Sequence, residues 1–292
     1  MTTYAAVPFR RGLLSISAAA VAWGVGGSVS ALLMRGSGLG PAGVSCWRFA
    51  VAVLCLALLP NREPHGGRGG ARWRAAALTG FGLAVSQCAY FGSVHYAGLG
   101  LGTLITIGAG PLFTSLGAHL LLGERLTRRA VAAVALALAG LALLVAAPAA
   151  GPRPVLGVAL AVVAGVGQSG LTLWARGGGS ARAGTGAFTA GLLCLLPIAA
   201  LSGPQGVLPT AGDPALTGAA LLFLGTVPTL FAYRWYFTGL TVVPGATAAV
   251  LLLLEPATAA VIGVLFLGEP LTAGLVAGSA LLLAAIAALA RG

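Results

Sequence analysis

The apolar residues of this chain fall into long blocks joined by short loops. Ten blocks are long enough for a helix that crosses a bilayer, since about 20 helical residues at 1.5 Å rise cover about 30 Å of hydrocarbon. They lie roughly at 12 to 34, 41 to 60, 75 to 94, 99 to 122, 130 to 147, 155 to 174, 184 to 201, 215 to 237, 244 to 267 and 271 to 290. The first, Leu13 to Met34 behind Arg10-Arg11, exceeds the usual apolar core of a signal peptide and has no clean cleavage site, so it reads as a span. The pattern predicts an all-α integral membrane fold of ten transmembrane helices.

One block organises the rest. It runs from Pro244 through apolar residues to Gly268-Glu269-Pro270-Leu271-Thr272 and carries Glu255-Pro256 at its middle. Sliding the chain along itself by half its length lays Gly100 on Gly245, Pro111 on Pro256, and Leu122-Gly123-Glu124 on Leu267-Gly268-Glu269. Leu126-Thr127 then falls on Leu271-Thr272 without a gap. Two copies of one five-helix unit are expected, residues 1-147 and 148-292, within a single membrane domain.

Composition changes the picture little. With 58% hydrophobic and 7% charged residues and a mean hydropathy of +1.00, too little polar surface remains to wet a soluble domain. A formal net charge of +11 would suggest nucleic acid in a soluble protein. Here the arginines stand singly or in pairs between apolar runs and the chain has no lysine, so no nucleic-acid partner is expected. Cys46, Cys55, Cys88 and Cys194 lie inside apolar blocks, too far apart for paired-thiol chemistry. Neither disulfide, metal nor cofactor is expected. The 46 glycines suit helices that pack closely in lipid.

The arginines set orientation. Arg10, Arg11, Arg62, Arg68, Arg72 and Arg74, then Arg125, Arg128, Arg129, Arg176, Arg182 and Arg291, collect on one side, against Arg35 and Arg153 on the other. By the positive-inside rule both termini are cytoplasmic, in the inner membrane of a bacterium. Five spans per unit make the second copy enter from the opposite face. The result is an inverted repeat, the architecture of secondary transporters that open one central site alternately to each side.

Trp23-Gly24 in the first span, Trp47-Arg48-Phe49 in the second, Tyr90 to Tyr96 ending the third, and the two Pro…Gly-Glu-x-Leu-Thr blocks together resemble the EamA-type drug/metabolite transporter superfamily. In size, span number and aromatic content the chain is similar to bacterial amino-acid exporters of the YddG type. The resemblance implies a ten-helix basket around a central cavity and export of small metabolites. The first copy departs from the second in having Gly110 where the second has Glu255, so a symmetric acidic pair is not expected.

Glu255 is the sharpest candidate, because an ionised carboxylate at mid-bilayer costs about 3 kcal/mol on insertion scales. It must be protonated, paired or facing a wet cavity. It serves either as a ligand for a substrate ammonium group or proton carrier, or as a structural acceptor near a helix break. Pro111 and Pro256 each free the carbonyl four residues back, at Ile107 and Leu252, and such interruptions at matching places point to a central site. They are the candidate helix-break or gating positions. Trp23 falls on Gln168 in the half-chain superposition, and both sit near mid-depth, as a cavity wall and a hydrogen-bonding group or helix-helix glue. Gln87 and Tyr90 share a helical face with Phe91, Val94 and His95. Tyr233, Trp235, Tyr236 and Phe237 read as a cytoplasmic aromatic belt. Arg48 either pairs with Glu255 or a substrate carboxylate, or snorkels.

The substrate-binding set is thus Trp23, Gln87, Tyr90, Gln168 and Glu255. An amide, an aromatic wall and a carboxylate suit amino acids, large neutral or aromatic ones above all, exported by alternating access. A lipid-headgroup translocator or a channel of the same fold is the alternative. The chain has no His-Glu-x-x-His and no Gly-x-Ser-x-Gly, and no catalytic residue or enzymatic activity is expected. Its partners are a small-molecule substrate and the lipid bilayer. No feature sets an oligomeric state, and a monomer suffices.

Overall fold

The computed structural model of the chain describes residues 8–58, 69–97, 99–125, 127–144, 152–177, 184–201, 203–267 and 273–290. The block from Gly268 to Thr272 lies outside the described residues, as do Arg62, Arg68, Arg182, Arg291 and the side chains of Phe91, Val94 and His95. Among the described residues all regular structure is helical.

The first half comprises α1 (Phe9–Ser37), α2 (Pro41–Leu58), α3 (Gly69–Ala97), α4 (Leu99–Leu122) and α5 (Arg128–Leu144). There follow α6 (Pro154–Arg176), α7 (Thr185–Leu201) and a single turn, α8 (Pro204–Val207). Next, α9 (Pro214–Gly225) runs through a π-helical segment (Thr226–Phe231) into α10 (Ala232–Leu240). Finally α11 (Gly245–Leu251), α12 (Leu254–Leu267) and α13 (Ala273–Ala290) complete the chain.

Local chemistry explains several ends. Gly38 closes α1 at φ 74°, a left-handed conformation that costs glycine little. Asp213 caps α9 by accepting the N–H groups of Ala215 at 2.7 Å and Leu216 at 3.4 Å, with Pro214 at the first helical position.

Among the described residues six stretches are long and apolar enough to cross a membrane: Phe9–Ser37, Pro41–Leu58, Ile105–Leu122, Pro154–Arg176, Pro214–Leu240 and Gly245–Phe266. Thr185–Leu201 and Val276–Ala285 are shorter apolar helices, and α3 and α5 occupy the two remaining predicted segments. The outer surface is itself apolar: Leu121, Leu201 and Phe266 are 74%, 89% and 78% exposed. A surface of that kind needs lipid as its solvent. The protein is a multi-pass membrane protein.

Helices of the two halves interleave. α6 lies against α3 and α4, while α1 lies against α9, the π segment, α10 and α12. α2 packs on α7, and α5 on α13. At the α2–α7 contact Phe49 and Phe188, both fully buried, meet edge to face at 5.6 Å. Nearby, a Cβ on Gly80 of α3 would collide with the Ala187 carbonyl of α7, so the absence of a side chain sets how closely these helices approach.

Candidate functional site

The interruption expected at Pro256 is present. Pro256 has no N–H for the Leu252 carbonyl, and the helix is broken between Leu251 and Leu254. The freed carbonyl accepts the Glu255 N–H at 3.0 Å instead, and the Leu253 N–H turns to Val250 at 3.1 Å. Two tight turns therefore place Glu255 at the start of α12. At Pro111, by contrast, α4 runs unbroken from Leu99 to Leu122, and the neighbouring Gly110 carbonyl takes the Ser169 hydroxyl of α6 at 3.3 Å. The two prolines act differently on their helices.

Glu255 is pressed against α1. A Cβ on Gly24 would lie 2.5 Å from the Glu255 carbonyl oxygen and 2.7 Å from Thr258 Cβ, so only glycine fits without displacement. The pairs Trp23-Gly24 and Glu255-Pro256, singled out separately in the sequence, are thereby brought together.

A second break was not foreseen. In the span over 215 to 237, Pro228 lacks the N–H that would reach Leu224, and the chain widens into a π-helical turn over Thr226–Phe231. The Thr229 hydroxyl takes over, donating to the Leu224 carbonyl at 2.7 Å. The same oxygen accepts Arg48 Nε at 3.1 Å. The Pro228 carbonyl, within this π-helical segment, accepts the Trp23 indole N–H at 2.7 Å. A mid-span proline followed by threonine is the sequence signal that would have pointed here.

Arg48 turns into the bundle rather than towards the membrane surface. Besides its bond to Thr229, it lies within electrostatic reach of Glu255. Its bond to Thr229 directs it inward.

The aromatic cluster at 233 to 237 is corrected too. Tyr233, Tyr236 and Phe237 are 5%, 1% and 8% exposed, because the π turn rotates their face towards the core. Trp23 meets Tyr233 at 5.0 Å and Tyr236 at 5.4 Å, both edge to face. Trp235 alone of the four keeps an outward position, stacked on Phe231 at 6.1 Å. The Tyr233 hydroxyl lies within hydrogen-bonding reach of the Gln87 side chain of α3. The Tyr236 hydroxyl shares a 2.5 Å hydrogen bond with Thr172, whose hydroxyl also lies 3.0 Å from the Gln168 carbonyl. Trp23, Gln87, Tyr90, Gln168 and Glu255 are all partly accessible, although their neighbours include the fully buried Tyr236 and Phe49.

One end of the bundle is tied by a separate group. Arg176, at the end of α6, holds Glu124 with Nε at 2.7 Å and Nη2 at 2.5 Å from Oε1. Its Nη1 donates to the carbonyls of Leu240, at 3.1 Å, and Val243. The other Glu124 oxygen accepts the Gly245 N–H, at the start of α11, at 3.1 Å. The Gly123-Glu124 turn thus joins α4, α6, α10 and α11.

A helical multi-pass bundle with an apolar exterior and an acid, an arginine and amides gathered among aromatic rings inside it has the build of a membrane transporter. The chain belongs to the EamA-like transporter family, whose model it matches twice, over residues 10–146 and 155–291. It is 30% identical over 276 residues to the Uncharacterized transporter YwfM of Bacillus subtilis (strain 168), covering 92% of this chain and 90% of that one. It is 33% identical over 295 aligned positions to the Uncharacterized protein PA1977 of Pseudomonas aeruginosa, covering 95% and 96%. A solved crystal structure, 21% identical and covering 96% of each chain, superposes with a TM-score of 0.73, a likeness of fold alone.

Proposed function

We propose that the protein is a secondary transporter of a bacterial inner membrane that exports small metabolites, large neutral and aromatic amino acids above all, by alternating access. The observation that carries this is the convergence of Trp23, Tyr233, Gln87 and Glu255, from α1, α10, α3 and α12, inside a bundle with a lipid-facing apolar surface. Trp23, Gln87, Tyr90, Gln168 and Glu255 line the substrate site. Their partial accessibility supports a solvated hollow rather than a sealed core.

Ten spans with both termini in the cytoplasm make two inverted units, 1-147 and 148-292. The two successive family matches support this, and so does the reciprocal packing, in which α6 meets α3 and α4 as α1 meets α9, α10 and α12. Pro256, beside the break between α11 and α12, and Pro111, within continuous α4, are the candidate gating positions.

Counterflow in proteoliposomes tests the function. Purified protein should let internal unlabelled phenylalanine or tryptophan accelerate entry of the labelled amino acid, with saturation. Flux without trans-stimulation would indicate a channel. Movement of labelled phospholipid but not amino acid would indicate a lipid-headgroup translocator.

A further inference from the structure

Among the described residues, Arg48 is a charge in the middle of the bundle that the substrate set leaves unused. It and Glu255 come from opposite halves, and neither has a charged counterpart in the half-chain superposition, where Arg48 falls on Leu193 and Glu255 on Gly110. Leu193 is 60% exposed on the apolar outer surface, so the asymmetry extends to what the two positions face. A fold built from similar halves is made dipolar by these two residues.

Thr229 fixes the guanidinium. Its hydroxyl hydrogen is committed to the Leu224 carbonyl at 2.7 Å, so its lone pair is what meets Arg48 Nε at 3.1 Å. Threonine therefore acts as an oriented acceptor that positions the guanidinium plane. The backbone of Glu255 is fixed by the turn before Pro256 and by its carbonyl's close approach to Gly24, and its carboxylate lies within electrostatic reach of Arg48. Trp23 stands beside both, bonded to Pro228 next to Thr229 on one side and preceding Gly24 on the other. Its ring and those of Tyr233 and Tyr236 form an apolar wall.

We propose that Arg48 and Glu255 are opposed subsites selecting zwitterions, with Arg48 taking the substrate carboxylate, Glu255 its ammonium group and the Trp23–Tyr233–Tyr236 wall its apolar side chain. This rests on the transporter function proposed above and narrows its substrate class. Without substrate the two charges compensate each other across the site. A ligand carrying both charges replaces each partner with its own group. A ligand with one charge satisfies one residue and leaves the other uncompensated in a medium of low dielectric, which penalises amines and acids alike. An arginine fork matched to a planar carboxylate adds geometric preference to the charge preference. Thr229 is a positioning residue in this scheme.

The test uses full-length protein in proteoliposomes, with labelled phenylalanine counterflow competed by phenylalanine, by phenylalaninamide, which lacks the carboxylate, and by 3-phenylpropionate, which lacks the ammonium group. In the wild type phenylalanine should compete at least about tenfold better than either analogue. Arg48→Gln should bring phenylalaninamide to within about threefold of phenylalanine while phenylpropionate stays poor, and Glu255→Gln should do the reverse. Equal competition by the three compounds in the wild type overturns the proposal, and that result needs no variant to fold. Unchanged discrimination in Arg48→Gln overturns it as well. If the wild type shows no phenylalanine counterflow at all, the amino-acid function itself fails, whereas loss of discrimination with intact counterflow removes only the zwitterion site.

Discussion

Trp23 and Pro228, 205 positions apart, are joined by a 2.7 Å hydrogen bond from the indole N–H to the proline's carbonyl oxygen. The acceptor lies in the π-helical segment, and the donor's ring meets those of Tyr233 and Tyr236 edge to face. An irregular backbone in one half is thus completed by a side chain from the other.

Separate substitutions divide the roles of Trp23. Each edge-to-face ring contact contributes about 0.5 to 1.5 kcal/mol. Trp23→Ala should therefore raise the half-saturation concentration for phenylalanine about tenfold, and Trp23→Phe, which keeps a ring but not the N–H, about threefold. Unchanged half-saturation in both would remove Trp23 from the substrate site.

Thr229 carries two hydrogen bonds on one oxygen, so its replacement by an isostere is informative. Thr229→Val leaves the Leu224 carbonyl unpaired and frees the guanidinium of Arg48 to reorient, a cost of about 1 to 3 kcal/mol. A lowered thermal midpoint and weaker phenylalanine counterflow should follow, while Thr229→Ser, which keeps the hydroxyl, should resemble the wild type. A wild-type-like Thr229→Val beside an impaired Thr229→Ser would show that the methyl group, not the hydroxyl, matters.

Gly24 sets the distance between α1 and α12. Gly24→Ala places a methyl group 2.5 Å from the Glu255 carbonyl and should destabilise the protein by about 1 to 3 kcal/mol, with loss of transport. Gly27, whose Cβ would meet nothing within 4 Å, is the control, and Gly27→Ala should be neutral in both thermal midpoint and flux.

Much of this was legible in the chain. Apolar blocks located the helices because lipid imposes a simple length rule, and the Pro256 break followed from a missing N–H. Trp23 and Glu255 stood out because each is costly or unusual at mid-span, and the structure brings their neighbourhoods together through Gly24. Tyr233 and Tyr236 were misread, since aromatic residues near a span end suit an interfacial belt. What turns them inward is the π segment after Gly225, and the register shift depends on partners such as Trp23 and Arg48 from distant helices. The inward course of Arg48 was undecidable for the same reason, because its acceptor Thr229 lies 181 positions away.

The tie between Arg176 and Glu124 makes its own prediction. The pair is only partly accessible, at 18% and 22%, and breaking it with Glu124→Gln should cost about 1 to 2 kcal/mol. The exchanged pair Glu124→Arg with Arg176→Glu should recover little, because a carboxylate cannot donate to the Leu240 and Val243 carbonyls that Arg176 now serves. Full recovery of the thermal midpoint would show that charge pairing alone matters there.

A solvated site between the halves is most directly tested at Gln168. In a protein with its four native cysteines replaced by serine or alanine, Gln168→Cys should react with membrane-impermeant thiol reagents added from either side of the membrane, and saturating phenylalanine should slow the reaction. A cysteine there that reacts from neither side, or at a rate phenylalanine leaves unchanged, would contradict a substrate hollow at this place in the fold.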